Sequence, residues 1–200
     1  MFRHHSSRHR RYRHIALLFG LQLMSRHSQA QTLDLPARPV DALSGSVFTN
    51  LIAHASRDDR ENWIYAQVMI GNVPSWWRGL TPVNTTIAGH TGTYYVTRDY
   101  LVVGSDEDYF LSPGTPLLGQ RLAARLGCSL PTRRMVNQIW TNTAVKLTPQ
   151  PITASPEMIT VPVFAWHNYL VRTQRNAFTN SQPLGMLVGG LAPLGQPATP

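Results

Sequence analysis

Hydrophobic residues recur at helical spacing in the first part of the chain, and residues that begin or end helices bound both segments. Ser46 is predicted to cap the first helix, and the second starts at Asp58 or Asp59 and is closed by Gly71-Asn72. Their apolar or neutral faces consist of Phe48, Leu51 and Ile52 in the first helix, and of Trp63, Ile64, Gln67, Val68 and Ile70 in the second.

The middle of the chain is rich in tyrosine, valine, leucine and phenylalanine, which favour strands. Strands are predicted at residues 93–97, 100–103 and 109–111. Polar turns at Arg98-Asp99 and at residues 105–108 separate them, which indicates an antiparallel meander. Residues 81–90 contain threonines and turn-forming residues, and they predict no regular element.

Helical spacing returns in the second half. Thr115 and Pro116 suit the cap and first position of a helix that Gly127 ends, and Thr132 caps a further helix. The residues predicted to face inward are Leu117, Leu118, Leu122 and Leu126 in the former, and Met135, Val136, Ile139 and Trp140 in the latter. The segment that Pro162 opens fits a helix or a strand, and a helix is favoured. Short strands are predicted at residues 144–147 and 186–188.

Helices before and after a small antiparallel sheet define an α+β fold class, with a single domain after a signal peptide. A length of 200 residues suits one domain. The predicted divisions are a signal peptide at 1–30, an extended lead-in at 31–45, the domain at 46–190 and a Pro/Gly-rich tail at 191–200.

The first 30 residues predict export to a secreted or periplasmic location. A cationic segment precedes an apolar run at residues 15–24 and the small residues Ser28 and Ala30. The run is shorter than the ~20 residues that span a bilayer, so no stable membrane span is expected after cleavage. A membrane-tethering helix and a basic arm that is never cleaved are the alternative interpretations.

The charge of the whole chain is misleading about its partners. A net charge of +8 and a pI near 10.4 suggest a nucleic-acid-binding protein until the charges are located. Six of the 18 basic residues lie within residues 1–30, and all ten acidic residues follow that segment. The near balance from Gln31 onward, twelve basic against ten acidic residues, argues against nucleic acid as a partner.

The chain has a single cysteine, Cys128, so no intramolecular disulfide can form. Its position after a predicted helix end, close to Leu126 and Leu130, predicts a buried and inert thiol. A catalytic cysteine usually lies at a helix N-terminus, where the helix dipole stabilises the thiolate. A site that pairs Cys128 with His90 or His167 is therefore disfavoured.

Two central segments carry a family resemblance: GSDEDYF at residues 104–110 and LGCSLPTRRMV at residues 126–136. On these residues the chain resembles a group of uncharacterised exported bacterial proteins, from about Phe48 to Gly190, and the resemblance implies no activity. It implies that such proteins continue past the Leu-Val-Gly-Gly segment into further strands and histidines, whereas this chain continues as LAPLGQPATP. An active site formed by such a continuation is expected to be missing.

The candidate catalytic residues are His90, Asp106, Asp108 and His167. The two aspartates share one turn with Glu107, and acids that converge on a loop can bind calcium. The EF-hand spacing fails, because Phe110 stands at a ligand position and the required glycine is absent. No metal site is therefore predicted, and a solvated turn is the alternative.

The two histidines are candidates for different reasons. His90 lies in a Gly-His-Thr-Gly turn, and loops position functional side chains more often than core elements do. His167 lies between Trp166 and Asn168, where a hydrogen-bonded and partly buried imidazole is the alternative. Sequence signatures of zinc sites, serine hydrolases and nucleotide-binding loops are absent, and the identity of any cofactor stays open.

The candidate substrate-binding residues are Trp76, Trp77, Tyr94, Tyr95 and Arg133. Exposed aromatic rings stack on sugar rings, and packing in the core is the alternative for the four aromatic residues. Arg133 or Arg134 is also expected to pair with the acidic turn.

The leading hypothesis is an exported hydrolase acting on a cell-envelope or extracellular polymer, such as peptidoglycan or polysaccharide. The alternative is a non-catalytic module that binds the cell envelope or a glycan.

Overall fold

The computed structural model describes residues 31–179 and 187–188, so the predicted signal peptide and tail lie outside the described residues. The helices are α1 (Gly45–Leu51), α2 (Arg57–Met69), α3 (Ser75–Arg78), α4 (Pro116–Arg125), α5 (Arg133–Asn142) and α6 (Val161–Thr179), with a 3₁₀ helix at Pro156–Ile159. The strands are β1 (Leu80–Ile87), β2 (His90–Thr97), β3 (Val102–Gly104), β4 (Tyr109–Leu111), β5 (Val145–Lys146) and β6 (Leu187–Val188). Helices combined with two antiparallel hairpins confirm the α+β class.

Helix α1 packs directly on the β3–β4 hairpin, and a glycine permits the close approach. Ser44, and not Ser46 as predicted, caps the helix: its hydroxyl accepts a hydrogen bond from the Val47 N–H at 3.5 Å. The N–H of Gly45 donates to the carbonyl of Asp108 at 2.8 Å. A Cβ at Gly45 would overlap the backbone of Tyr109, so only glycine fits at this position.

The core lies where α1, α2 and α6 pack around β3 and β4. Its fully buried side chains include Phe48, Ile52, Ile64, Val68, Val102, Val103, Phe110 and Val161. The predicted inward positions of Leu51, Trp63 and Ile70 were wrong, since all three side chains are exposed. On α1 and α2 the buried face is a narrow stripe with spacings of three and four residues, and these three side chains lie beside it.

The predicted single meander is divided into two separate hairpins. β1 pairs with β2 from Leu80 opposite Thr97 to Ile87 opposite His90, and β3 pairs with β4. Residues 81–90, for which the sequence predicted no element, therefore form most of β1 and the hairpin turn. The prediction failed because β1 is polar and threonine-rich, so backbone pairing with β2 determines its structure and no apolar alternation marks it.

Helices α4 and α5 begin at the predicted caps, Thr115 and Thr132, whose hydroxyls accept N–H groups three residues later. Leu118 and Leu122 are buried as predicted, whereas Leu117 is 81% exposed. No residue of α5 is fully buried. Met135, Val136 and Ile139 are half-buried, whereas Trp140 is 41% exposed, so the predicted inward position of Trp140 was wrong. It lies against the β1–β2 hairpin, where the Tyr94 hydroxyl donates to the carbonyl of Met135 at 3.3 Å.

The predicted burial of Cys128 was also wrong, since its side chain is exposed. Helix α4 ends at Arg125 and the chain turns at Gly127, which has a φ of 64°. The N–H of Cys128 then donates back to the carbonyl of Ala123 at 2.8 Å, which closes the helix end. The exposed thiol donates to the carbonyl of Leu126 at 3.4 Å.

The segment after Pro162 is helical, as favoured, and forms the longest helix in the described chain. Asn168 of α6 accepts the N–H of Leu111 at 2.9 Å, which ties the helix to the end of β4. β5 pairs in parallel with β6; Met186, predicted as part of the last strand, lies outside the described residues. Among the described helices, none is both long and apolar enough to cross a membrane.

Candidate functional site

The acidic turn between β3 and β4 fixes the start of α3 through Asp106. The Asp106 carboxylate accepts the N–H of Ser75 at 2.6 Å and its hydroxyl at 2.7 Å. Proline precedes this helix and offers no side-chain cap, so Asp106 supplies from a distant loop what a local capping residue normally does. Its side chain is therefore engaged in the fold.

Asp108 plays the matching role at the start of α1. Its carboxylate accepts the Ser46 hydroxyl at 2.6 Å and the Ser46 N–H at 3.2 Å, and lies 3.8 Å from the Arg172 guanidinium. Partial burial raises the pKa of Asp108, but hydrogen bonds from Ser46 and Ser44 and the charge of Arg172 outweigh it, so the pKa lies below its ordinary value. The group is an ionised anchor and is poorly suited to donate a proton.

Arg172, and not Arg133 or Arg134, is the arginine that binds the acidic turn. Its guanidinium donates to the carbonyl of Glu107 at 2.7 Å and to that of Tyr109 at 3.2 Å. Arg133 and Arg134 are exposed at the start of α5. The turn is thus a junction of α1, α3 and α6. Within the described residues no group of three histidine, cysteine or acidic side chains is arranged to hold a metal ion.

The two predicted histidines lie away from this junction. His90 is exposed at the first position of β2, opposite Ile87 in the hairpin. His167 is partly buried on α6, and its Nε2 lies 3.1 Å from the carbonyl of Gln150. Among the described residues no hydrogen bond or ion pair joins either histidine to Asp106 or Asp108. The structure thus brings the two aspartates together and leaves both histidines apart from them.

The predicted aromatic residues are mostly engaged in packing. Trp77 is buried, and its indole N–H donates to the carbonyl of Asp99 at 3.2 Å. Trp76 is partly buried, with its ring edge-on to Tyr109 at 5.2 Å between centroids. Tyr94 and Tyr95 are half-buried in β2. None of these four rings presents an open face comparable to the aromatic pair described next.

The most exposed aromatic side chains of the described chain are Trp166 and Tyr169 on α6, at 55% and 58%. Their rings are nearly parallel, at 20°, with centroids 5.5 Å apart. They are three residues apart and therefore share one face of the helix, opposite the face that holds Asn168 and Arg175 in the core. This pair was not predicted from the sequence. Two aromatic residues at helical spacing beside polar residues are the pattern that could have indicated it.

A surface cleft of about 600 Å³ lies where three segments meet: the α1–α2 connection with the first turns of α2, the loop before α4, and the start of α6. Its polar side chains are His54, Arg57, Arg60, Glu61, Thr115 and Thr160. None of the catalytic or substrate-binding residues predicted from the sequence lines it. The basic residues lie in segments whose apolar spacing predicts helices but says nothing about which side chains meet in space. The sequence therefore provides no reason to group them.

Comparison of this chain with models of protein families, with curated proteins and with solved structures finds no match. The fold and the site define its class only as an α+β protein with a basic cleft and an exposed aromatic pair. The resemblance to exported bacterial proteins stays a prediction.

Proposed function

We propose that this protein is an exported, non-catalytic module that binds a glycan chain of the cell envelope or of an extracellular polysaccharide. The observation that carries the proposal is the exposed, nearly parallel ring pair of Trp166 and Tyr169 on α6. Aromatic rings offer large apolar faces with little conformational entropy to lose, which suits stacking on sugar rings. Export rests on the pattern of residues 1–30.

The position of the pair on a long, anchored helix supports a binding role. Arg175 and Asn168 fix the opposite side of α6 to β4, and Arg172, one turn after Tyr169, binds the acidic turn. The rings are therefore held on a rigid element, which lowers the entropy cost of binding. An exposed apolar pair on such an element favours an interaction surface.

The hydrolase hypothesis is the weaker proposal. General acid–base catalysis needs carboxyl or imidazole groups free to meet a substrate, usually as a convergent set. Asp106 and Asp108 instead accept hydrogen bonds at helix starts, and neither histidine joins them. No geometric observation in the described residues favours a reaction over binding.

Sedimentation with insoluble peptidoglycan and with insoluble polysaccharides tests the proposal. We expect the purified protein to sediment with one of these polymers, and Trp166→Ala or Tyr169→Ala to weaken retention about tenfold, because each removes a stacking face worth roughly 1–2 kcal/mol. Trp63→Ala is the matched control, since Trp63 is 45% exposed on α2 and should leave retention unchanged.

The same samples separate binding from hydrolysis. Soluble fragments that appear with the protein, and disappear with Asp106→Asn or His167→Ala in folded variants, would replace the binding proposal with the hydrolase. Retention that is equal in the Trp166, Tyr169 and Trp63 variants would remove the aromatic pair from the function.

A further inference from the structure

The cleft lies between the α1–α2 connection, the loop before α4 and the start of α6, and contacts within the protein already hold part of its lining in place. Both carboxylate oxygens of Glu61 are occupied by Thr115, which donates its N–H at 2.7 Å and its hydroxyl at 3.0 Å. The Thr115 hydroxyl also accepts the N–H of Leu118 at the start of α4. Glu61 therefore holds the loop before α4 in place, and each of its two oxygens accepts one hydrogen bond without a ligand.

The remaining ionisable side chains of the cleft are basic, and they make few contacts with the rest of the protein. Arg57 and His54 are exposed, and His54 makes no hydrogen bond to the described part of the chain. Arg57 contacts Asp58 at 3.3 Å in a solvent-exposed pair, an interaction of small energy. Neither residue is committed to the fold, so both are available to a ligand.

Arg60 is the central cation of this cleft. One of its terminal nitrogens, Nη1, donates to the carbonyl of Ile159 at 3.0 Å, and this is the only hydrogen bond of its side chain within the described residues. Its Nε is buried and has no partner in the described part of the chain. Burial lowers the pKa of Arg60, although the nearby Glu61 opposes that effect, so loss of hydration is the dominant influence on this guanidinium. A partly dehydrated cation with few acceptors gains most from an incoming anion.

Part of the cleft lining is apolar. Phe164 lies with its ring centroid 5.5 Å from the Arg60 guanidinium carbon, and Ile159, Pro113 and Val161 continue the lining. A ligand that fills the cleft therefore meets charged and hydrocarbon groups next to each other. A cleft of about 600 Å³ is of the size that accepts small organic molecules.

From these contacts we infer that the cleft binds a carboxylate attached to a compact apolar group, with Arg60 and Arg57 on the carboxylate and Phe164 and Ile159 against the apolar part. Arg57, Arg60 and Glu61 give the lining a formal charge of +1 with histidine counted as uncharged, and Asp58, which pairs with Arg57, lies outside the lining. One negative charge balances that lining, whereas a phosphate dianion would leave an excess near Glu61. The inference stands independently of the proposed glycan function.

N-Acetyl-leucine serves as the probe, because it joins one carboxylate to one aliphatic side chain. We expect binding with a Kd on the order of 1 mM, the range of a ligand of this size. N-Acetyl-leucinamide, which has the same shape without the charge, should bind at least about tenfold more weakly, and phenyl phosphate should not bind more tightly than N-acetyl-leucine. Amide chemical shifts measured by NMR should change mainly around the start of α2 and α6.

Two variants test the residues. Arg60→Gln and Arg57→Gln should each weaken probe binding by several-fold or more, whereas Arg125→Gln, which removes an exposed arginine outside the cleft, should have no effect. Arg57 is exposed, so its variant keeps the test valid if Arg60→Gln does not fold. Trp166→Ala should leave probe binding unchanged, which separates this result from the glycan proposal.

The inference is overturned if the acid and the amide bind equally, if neither binds, or if the shift changes lie away from the cleft. Tighter binding of phenyl phosphate would replace the carboxylate with a phosphate as the ligand chemistry. Equal effects of Arg57→Gln and Arg125→Gln would assign any binding to general surface charge.

Discussion

Asp99 lies in the connection between β2 and β3. It is the only buried acidic residue of the described chain. Its side chain is 3% exposed, and it accepts the N–H of Tyr100 at 2.8 Å. Its other oxygen lies 3.5 Å from Nη1 of Arg175, but that nitrogen also donates to the Tyr109 hydroxyl at 2.6 Å. Burial raises the pKa of Asp99 to about 6, because lost hydration outweighs the attraction of this shared cation.

This raised pKa makes stability depend on pH in a defined direction. An unfolded aspartate has a pKa of about 3.9, so between about pH 4 and pH 6 the unfolded chain ionises while the folded one keeps its proton. We therefore expect the contribution of Asp99 to the free energy of unfolding to fall by about 2–3 kcal/mol as pH rises through that window. Urea unfolding of the protein and of Asp99→Asn at about pH 4, 5, 6 and 7 measures this contribution.

Comparison with Asp99→Asn separates the pH dependence due to Asp99 from that due to the other carboxylates. Asp108 has a lowered pKa and acts in the opposite direction, since its stabilisation is lost as pH falls toward its folded pKa. Such groups are present in both proteins, so the difference between the two stability profiles belongs to Asp99. Parallel profiles from pH 4 to pH 7 would contradict the assignment.

At the scale of elements, the β1–β2 turn is formed by residues that the sequence does not mark as a hairpin. Ala88 has a φ of 49° and Gly89 a φ of 80°, and two positive angles in a two-residue loop are typical of a type I′ turn. Asparagine followed by glycine is the strongest sequence signal of that turn, and alanine is strained in this conformation. The positive φ of Ala88 is therefore unfavourable in itself, and the pairing of β1 with β2 offsets this strain.

Substitutions in this turn should change stability in opposite directions. Ala88→Asn should raise the free energy of unfolding by about 0.5–1 kcal/mol, because asparagine accepts a positive φ more readily than alanine. Gly89→Ala should lower it by about 1 kcal/mol; a Cβ there would meet no atom within 4 Å, so the effect comes from the backbone alone. Thermal unfolding of both variants measures the pair, and shifts of the same sign would exclude this turn conformation.

What the sequence could predict among the elements was the local structure. Thr115 and Thr132 cap their helices because a hydroxyl and an N–H three residues later need no distant partner. The sequence offered Asp106 and Asp108 as catalytic candidates or as a solvated turn, and it could not identify their partners Ser75 and Ser46, which lie 31 and 62 positions away. The cleft was missed for the same reason, because chain packing alone brings Arg60 to Phe164.

At the scale of the whole molecule, burial is unevenly distributed. The strands β3 and β4 are almost entirely buried, and their hairpin is held by α1 through Gly45 and by α6 through Asn168. Helix α5 has no buried residue, and in β1 only Val83 is buried. Since protection from local opening follows buried apolar contact, the two parts are expected to differ in local stability.

Native-state hydrogen exchange should show this difference directly. Amides that close the β3–β4 ladder, such as those of Val103 and Phe110, should exchange only with global unfolding, whereas the hydrogen-bonded amides of α5 should exchange at least about 100-fold faster through local opening. Adding urea below the unfolding midpoint should accelerate exchange in β3 and β4 strongly and in α5 weakly, because local opening exposes little surface. If the amides of α5 exchange at the same rate as those of β3 and respond to urea as strongly, then α5, the β1–β2 hairpin and the core unfold as one cooperative unit.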